Sequence, residues 1–371
     1  MRENALNPIS AESGKLNLIG LAPNSLTEFF VGLGEKPYRV RQLMRWIYQR
    51  GVLEFDEMTD LSLGLRRQLH LVATLSLPKV IRMDSARDGT LKWVLDVGAG
   101  QAVEAVYIPE PNRSTLCVSS QAGCAMDCSF CATGRRGFNR NLSAAEILGQ
   151  VIFANQQLAP ESSITNVVFM GMGEPLANYR EVVQVVKLLI DDHAMGLSRR
   201  RVTISTSGLV PQIRKLSTDC NVALAVSLHA ATDQLRDELV PINRRHRIRE
   251  LLESCWNYAE CLSSRHITFE YVMLAGVNDG IQDAISLIKL LKNRPAKVNL
   301  IPFNSFPGTE YMCSEPDVIS RFCMKLRAAG IIATIRRPRG DDISAACGQL
   351  AGQVKNRMLV RLGSKQIRAA C

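Results

Sequence analysis

Residues 115–134 read TLCVSSQAGCAMDCSFCATG, in which an apolar run is followed at once by three closely spaced cysteines. Cys124, Cys128 and Cys131 have the spacing CxxxCxxC and lie on a short loop with glycine at both ends. Three thiolates on such a loop can bind three irons of a 4Fe–4S cluster and leave the fourth iron open. The alternative is a structural zinc site, which usually takes four protein ligands, and no fourth Cys or His lies in this loop. The spacing therefore predicts an iron–sulfur cluster.

Apolar runs rich in β-branched residues recur after this point and alternate with amphipathic helical stretches such as residues 143–157 and 179–192. The strand candidates are residues 115–120, 166–173, 201–208, 222–229, 267–274, 298–305 and 331–338. This order predicts a parallel sheet covered by helices, either a barrel or an open doubly wound sheet. Distinctive groups follow successive strands, namely GCAMDC, GMGEP, STSG, SLH and PFN, as expected where function collects at the C-terminal strand ends of a barrel. A Rossmann fold is disfavoured because GMGEPL lacks the third glycine of that fingerprint.

The chain before the cysteine loop has two further parts. Residues 18–75 are helical in pattern, with one apolar stripe formed by Val40, Leu43, Met44 and Ile47. The arginines beside this stripe form either a solvated face or an RNA-contacting face. Residues 79–109 alternate with a period of two and predict a small β ribbon. We therefore expect four parts: an N-terminal helical accessory domain over residues 1–78, a β-ribbon linker over 79–109, a barrel core over 110–340 and a C-terminal segment over 341–371.

Composition narrows the class of protein. The 371 residues are 46% hydrophobic, enough for a large core, and the net charge of +10 suits a polyanionic partner. No run of about 18 apolar residues predicts a membrane span, and the first residues lack the apolar region of a secretory signal. We therefore expect a cytoplasmic protein. A disulfide framework is not expected among the eleven cysteines, and Cys220, Cys255 and Cys323 are interpreted as buried free thiols.

Several long motifs in order resemble a known family. CxxxCxxC with an aromatic residue before the last cysteine, here Phe130, resembles the signature of the radical S-adenosylmethionine (SAM) superfamily, and GMGEP resembles its motif for the SAM amino group. Residues 18–352 resemble the RlmN adenine-C2 methyltransferases of 23S rRNA and tRNA, on the blocks GCAMDCSFCATGRRGFNRNL, VVFMGMGEPLAN, TISTSGLVP, VSLHA and RGDDISAACGQLAG. The resemblance implies an α/β fold with a partial (β/α)6 radical SAM barrel.

The resemblance also implies cofactors and their ligands. One 4Fe–4S cluster per chain would be held by Cys124, Cys128 and Cys131, and two molecules of SAM would be used per turnover. The positions that match SAM contacts are Gly173, Glu174, Ser205, Ser227, Leu228, His229 and Asn304. His229 taken alone would be interpreted as a structural histidine, but its place in SLH at a strand end favours the binding role.

Three further residues match catalytic positions of the family. Cys347 matches the cysteine that one SAM methylates on sulfur, and Cys117 matches the cysteine that later forms a disulfide with it. A second SAM, cleaved at the cluster, would give a radical that takes hydrogen from the S-methyl group, and the resulting carbon would add to adenine C2. Glu104 matches the proposed acceptor of the C2 proton. Core filler is the alternative for both cysteines, and an edge-strand carboxylate is the alternative for Glu104.

The implied partners are 23S rRNA and tRNA, a low-potential electron donor such as flavodoxin, and a thiol reductant, with a monomeric protein and no membrane. Several arginine clusters are candidates for phosphate contacts, although each is also typical of a solvated face: Arg135, Arg136, Arg140, Arg199, Arg200, Arg201, Arg244, Arg245, Arg247 and Arg249. Two rival functions remain. One is the adenine-C8 methyltransferase of the same superfamily, which confers antibiotic resistance. The other is a zinc-bearing RNA-binding module without catalysis.

Overall fold

The N-terminal part is a small helical block whose two ends pair with each other. The computed structural model describes residues 14–159, 162–262, 266–350 and 352. In the N-terminal part the elements are β1 (Leu16–Asn17), α1 (Pro23–Gly32), α2 (Arg39–Met44), which continues as a π-helical turn (Arg45–Gln49), α3 (Leu63–Val72) and β2 (Ala73–Thr74). The stripe of Val40, Leu43, Met44 and Ile47 is buried, which confirms the predicted core face of this block.

The N-terminal block is packed closely against the rest of the chain. The Gly20 backbone N–H donates to the Tyr48 hydroxyl at 3.0 Å, inside the block. A Cβ atom at Gly20 would lie 2.7 Å from the carbonyl carbon of Ala144, so only glycine fits there. Gln49 and Gln156 add hydrogen bonds between the block and the neighbouring helices. Residues 16–75 are thus held on the core by backbone contact as well as by side chains.

One ten-stranded sheet carries the rest of the fold. Three antiparallel strands come first, β3 (Lys79–Ser85), β4 (Leu91–Asp96) and β5 (Ala102–Glu110). They are followed by β6 (Arg113–Cys117), a small hairpin of β7 (Gln121–Gly123) and β8 (Phe138–Asn141), and then β9 (Asn166–Phe169), β10 (Val202–Thr206), β11 (Ala223–Ser227), β12 (Ile267–Met273), β13 (Ala296–Pro302) and β14 (Ile332–Ile335). The sheet order is β14-β13-β12-β11-β10-β9-β6-β5-β4-β3.

Seven of these strands are parallel and lie in chain order. β6 pairs with β9, and each of β9 to β13 pairs in parallel with its successor. Helices connect them: α4 (Ala132–Arg136), α5 (Ala144–Gln157), α6 (Tyr179–Ile190), α7 (Val210–Asp219), α8 (Asp233–Leu239), α9 (Ile248–Glu260), α10 (Ile281–Leu291) and α11 (Pro316–Ala328). The apolar face of α6 is buried, as amphipathic crossover helices require. In the described part of the chain the sheet is open, which confirms the expected partial α/β barrel.

The β ribbon is continuous with this sheet, since β5 pairs with β6 along Val106 to Glu110. The domain boundaries at residues 78, 109 and 340 stay predictions. Of the expected C-terminal segment, residue 351 and residues 353–371 lie outside the described residues, as do residues 1–13 of the N-terminal part. Within the described ranges, every helix is too short or too polar to cross a membrane.

Candidate active site

A cavity of about 160 Å³ opens at the C-terminal ends of the parallel strands. Because these ends meet at one edge of the sheet, residues far apart in sequence meet there. Ten of the predicted site residues line this cavity: Cys124, Cys128, Cys131, Gly173, Glu174, Ser205, Ser227, His229, Asn304 and Cys347. Leu228 does not line it, because its side chain is buried in the core and its backbone N–H donates to the Glu270 carbonyl at 3.0 Å.

The loop that carries the three cysteines is held between β7 and β8. The Cys124 backbone N–H donates to the Gly137 carbonyl at 2.9 Å, and a Cβ at Gly123 would collide with that same carbonyl. Burial raises the pKa of all three thiols, and neighbouring cysteines raise it further. We call Cys124, Cys128 and Cys131 the cluster thiols.

The cluster thiols have the number and spacing that would hold three irons of a 4Fe–4S cluster and leave the fourth open. Among the residues that the structure describes, no three Cys, His, Asp or Glu side chains are arranged to hold a single ion. Thiols that bind separate irons of one cluster need not converge on one point. Ligation holds cysteine as thiolate, and the bonds to iron would offset the cost of burying three thiolates together.

Glu174 is a buried carboxylate at the end of β9, and its side chain is 3% exposed. One oxygen accepts hydrogen bonds from the Ser207 backbone N–H and hydroxyl at 2.7 and 2.8 Å, and the other accepts from Leu176 at 3.1 Å. Burial raises the pKa of this carboxyl group, although the bonds from Ser207 oppose the shift. The oxygen that accepts twice from Ser207 uses both of its lone pairs, so a ligand ammonium would bind at the other oxygen and favour the charged form.

Gly173 precedes this carboxylate and has a backbone conformation with φ of 100°, which glycine adopts readily. A Cβ there would lie 2.5 Å from the Gln121 side chain. The Gln121 amide oxygen accepts from the Glu174 backbone N–H at 2.8 Å. The GMGEP motif is therefore fixed by close backbone packing as well as by the chemistry of its carboxylate.

His229 lies in the left-handed region with φ of 56° and faces the cavity. Its Nδ1 accepts from the Val272 backbone N–H at 3.0 Å, so the ring proton is on Nε2. Burial, together with the charge of Arg236, lowers the pKa of His229 to about 3. The Phe130 ring packs against it edge to face at 4.5 Å. His229 is thus a neutral donor in a fixed tautomer.

Cys347 lines a second, narrower cavity of about 30 Å³ together with Cys117. The two cavities share a wall, because Cys347, Met170 and Arg336 line both. Cys117 is buried at the end of β6, and burial and the neighbouring Cys347 raise the pKa of its thiol to about 12. Cys347 therefore lies between the cluster cavity and Cys117.

Glu104 lies on β5 and does not reach either cavity. It is 6% exposed and lines a third cavity of about 520 Å³ with Lys92 and Ser344. Its Oε1 accepts from the Gly352 backbone N–H at 3.2 Å. Its Oε2 is buried and has no hydrogen-bond partner among the described residues. One oxygen is thus available to a ligand in the third cavity.

Three charged residues of the site were missed from the sequence. Arg336 directly follows β14, so the strand-end rule applied to the last strand could have found it. Its guanidinium is beside Cys347, which raises the pKa of Arg336 despite burial. Glu270 lies inside β12 and lines the main cavity, and a charged residue within an apolar strand was its signal. Burial raises the pKa of Glu270, and nearby Arg336 opposes the shift.

Arg236 is the third missed residue, and its side chain is fully buried. It donates to the carbonyls of Ser207 at 2.7 Å, Ser227 at 3.0 Å and Leu228 at 3.1 Å, and to the Asn243 amide oxygen at 3.0 Å. Burial lowers the pKa of Arg236 to about 10. It thus ties together two strand ends that line the cavity. Its sequence context, DQLRDEL, is typical of a solvated helix and gave no signal.

Two family descriptions match the chain in separate places. Residues 16–75 match the ribosomal RNA large subunit methyltransferase N-terminal domain. Residues 118–288 match the radical SAM superfamily. The first covers the helical block, and the second covers the cluster loop and the strands from β9 to β12.

Comparison with individual proteins agrees over nearly the whole length. The chain is 50% identical over 365 residues to the dual-specificity RNA methyltransferase RlmN of Francisella tularensis subsp. novicida strain U112, covering 95% of this chain and 98% of the relative. The values are the same for the protein of that name from Francisella tularensis subsp. mediasiatica strain FSC147. A crystal structure of a radical SAM methyltransferase from Sphaerobacter thermophilus superposes with a TM-score of 0.85 at 43% identity, covering 90% of this chain and 98% of that one. The chain belongs to the RlmN family of radical SAM, dual-specificity RNA methyltransferases.

Proposed function

We propose that this enzyme methylates carbon 2 of adenine in 23S rRNA and in tRNA, with Cys347 as the carrier of the methyl group. The observation that carries the proposal is the position of Cys347 on the wall between two cavities, one with the cluster thiols and one with Cys117. A carrier must face the methyl donor at one stage and its resolving partner at another. A thiol in this position meets both needs.

RNA as the substrate class follows from the family, and the finer assignment has further support. The relatives are named dual-specificity RNA methyltransferases, and the N-terminal match is to the N-terminal domain of ribosomal RNA large subunit methyltransferases. The net charge of +10 suits such a polyanion. The sequence blocks from residue 123 to residue 352 support adenine C2 over C8. A non-catalytic zinc module is not a member of an enzyme family, so we set that rival aside.

The enzyme uses a 4Fe–4S cluster and SAM, as its family does. When bound, these groups supply the reducing electron, the methyl group and the radical that activates it. The cluster thiols would hold the cluster, and Glu174 would accept from the SAM ammonium. His229 would donate through Nε2, and Ser205, Ser227 and Asn304 would complete the polar lining. The Leu228 side chain is buried, and its backbone N–H and carbonyl already bond to Glu270 and Arg236, so we propose only a packing role for it behind the SAM site.

The chain's own groups then carry the covalent steps. The Cys347 thiol loses its proton, and its sulfur would bond to the methyl group as the methyl–sulfonium bond of SAM breaks and S-adenosylhomocysteine leaves. Arg336, whose guanidinium is beside this sulfur, would stabilise the thiolate. Once that carbon is bonded to the base and the base has given up one electron to the bound redox group, Glu104 would accept the C2 proton through its free oxygen. This step requires the base to reach the third cavity, which Glu104 lines. The Cys117 thiol then attacks the Cys347 sulfur, the carbon–sulfur bond breaks as the departing carbon takes the proton of that thiol, and a thiol reductant must reduce the resulting disulfide.

The structure separates the candidate RNA contacts into two groups. Arg136, Arg244 and Arg245 are exposed. Arg136 closely follows the cluster loop, and the Ser129 backbone N–H in that loop donates to the Leu239 carbonyl, a few residues before Arg244. We call these three the upper arginines. Arg199, Arg200 and Arg201 directly precede β10 and so lie at the N-terminal ends of the strands, opposite the cavity. We call these the lower arginines. Because the target base must be unstacked to reach the site, the upper arginines are the proposed phosphate contacts.

The other candidates are already engaged within the protein. Arg140 forms an ion pair with Glu146 at 2.6 Å, Arg247 pairs with Asp237 at 2.8 Å, and Arg249 pairs with Glu253 at 3.1 Å. Arg135 donates to the Gly308 carbonyl.

The same proposal includes a flavodoxin-like electron donor and a monomeric state. It also includes a cytoplasmic location, because ribosomes and tRNA are cytoplasmic partners.

The test is anaerobic reconstitution with iron and sulfide, followed by incubation with SAM, a reductant and either 23S rRNA or tRNA. Nucleosides from each RNA are then separated and identified by mass spectrometry. The proposal expects 2-methyladenosine from both substrates. Formation of 8-methyladenosine would support the C8 rival, and 2-methyladenosine from only one RNA would overturn the dual assignment.

A further inference from the structure

Lys92 is a buried cation at some distance from the cluster cavity, and its side chain is 5% exposed. It lies on β4, and its ammonium donates to the carbonyls of Ile343 and Ser344, the latter at 3.3 Å. Asp84 on the neighbouring strand β3 provides an ion pair at 3.8 Å. The two carbonyls belong to the segment that leads directly into Cys347.

The turn between β3 and β4 binds the same segment at other points. Asp88 accepts from the Gly340 backbone N–H at 3.3 Å and pairs with Arg339 at 3.7 Å. The Arg87 backbone N–H donates to the Asp342 carboxylate at 3.2 Å. Burial alone would raise the pKa of Asp88, but hydrogen bonds from Thr90 and Gly340 and the charge of Arg339 outweigh it and lower that pKa. The turn thus holds residues 339–344 with both polar and charged contacts.

The backbone of this segment needs such support. Ser344 has φ of 52°, a left-handed conformation that is uncommon for residues other than glycine. A conformation of this kind persists when surrounding contacts impose it. The bond from Lys92 to the Ser344 carbonyl is such a contact, and it lies three residues before Cys347.

The chain is also fixed after Cys347. The Ala132 backbone N–H, next to the cluster thiols, donates to the Gly348 carbonyl at 2.8 Å, and Thr133 donates to the Leu350 carbonyl at 2.6 Å. Cys347 is therefore held on both sides, by the cluster loop after it and by the β3–β4 turn before it.

We propose that Lys92 is a positioning residue, which with Asp88 holds residues 339–344 and so places the Cys347 sulfur between its two cavities. This inference rests on the proposed function, in which Cys347 must reach the methyl donor and then Cys117. Lys92 lines the third cavity with Glu104, but its own hydrogen bonds go to the Ile343 and Ser344 carbonyls, so its effect passes through the backbone of the loop.

The first test is hydrogen–deuterium exchange of the anaerobic, cluster-loaded full chain. Lys92→Met should raise the exchange of the peptide containing residues 339–350 by about tenfold or more, because bonds to a charged donor are lost. Lys92→Arg should keep most of the protection. Lys79→Met is the matched control, since Lys79 is exposed on the same hairpin at the end away from the turn and should leave the peptide unchanged. Asp88→Asn, a milder change, should loosen the same peptide and serves if Lys92→Met does not fold.

The second test measures methylation of RNA by the same variants. Misplacing Cys347 by about 1 Å should lower kcat up to about 100-fold while KM for SAM stays at the wild-type value. Rescue by Lys92→Arg would support positioning. If hydrogen exchange of residues 339–350 is unchanged in both Lys92→Met and Asp88→Asn, these two residues do not hold the segment. If exchange rises but kcat is unchanged, the position of the segment does not matter for catalysis. If the wild type makes no methyladenosine, the proposed function fails while the exchange result still stands.

Discussion

Replacing Arg236 by methionine removes a cation that is fully buried yet makes four hydrogen bonds. Four bonds from a charged donor are worth about 6–12 kcal/mol in sum at about 1.5–3 each. Burying a guanidinium without a close carboxylate costs several kcal/mol, which offsets part of that gain. We therefore expect Arg236→Met to lower the free energy of unfolding by about 3–5 kcal/mol, as when one member of a buried charged network is lost.

The loss of Arg236 should also weaken the binding of SAM. Ser207, whose carbonyl Arg236 binds, donates two hydrogen bonds to Glu174, so its displacement disturbs the proposed ammonium site. We expect SAM affinity to fall about tenfold, equivalent to about 1.4 kcal/mol. Urea unfolding gives the first quantity and calorimetry with SAM gives the second.

Arg247→Met is the control for this experiment. Arg247 is 52% exposed and pairs with Asp237 at the surface, so its loss should change stability by at most about 1 kcal/mol. If Arg236→Met unfolds at the same urea concentration as Arg247→Met, the buried network is not what holds the strand ends, and our account of their alignment is wrong.

Three further predictions follow from the site. Alanine at any one of the cluster thiols should abolish the visible absorbance and most of the bound iron, because an iron loses its ligand; full iron content in all three variants would contradict the cluster assignment. Glu174→Gln should weaken SAM binding by about 10- to 100-fold through loss of a charge-assisted bond worth about 1.5–3 kcal/mol. The control Glu253→Gln, at an exposed position, should bind SAM normally. Equal affinities of the two variants would show that Glu174 does not bind the SAM ammonium. Alanine at all three upper arginines should reduce the slope of log affinity for RNA against log salt by about 2, and alanine at the lower arginines should not; equal slopes would refute the assigned face.

The local features of the site could be predicted from the sequence. The CxxxCxxC loop, the strand-end motifs and the N-terminal apolar stripe are each encoded within a few residues, where spacing and periodicity act directly. Arg336 directly follows the last strand, so the strand-end rule also predicts it. Glu270 had a signal in its apolar surroundings.

Other features depend on contacts across long stretches of chain. The pairing of Lys92 with the carbonyls of residues 343 and 344 joins parts of the chain some 250 residues apart. No local pattern around Lys92 distinguishes it from an exposed strand lysine. Arg236 is similar, because its charged neighbours predict a solvated helix while the fold buries it.

The central claim is that Cys347 carries the methyl group and Cys117 resolves it. In Cys117→Ala the base should still be attacked, but no thiol should then release it, since a disulfide requires Cα atoms within about 7 Å. The most direct measurement is a denaturing gel of Cys117→Ala incubated anaerobically with SAM, reductant and RNA. Our account predicts a covalent protein–RNA band that disappears with RNase and is absent in Cys347→Ala. Normal turnover by Cys117→Ala, or methylated RNA from Cys347→Ala, would contradict it.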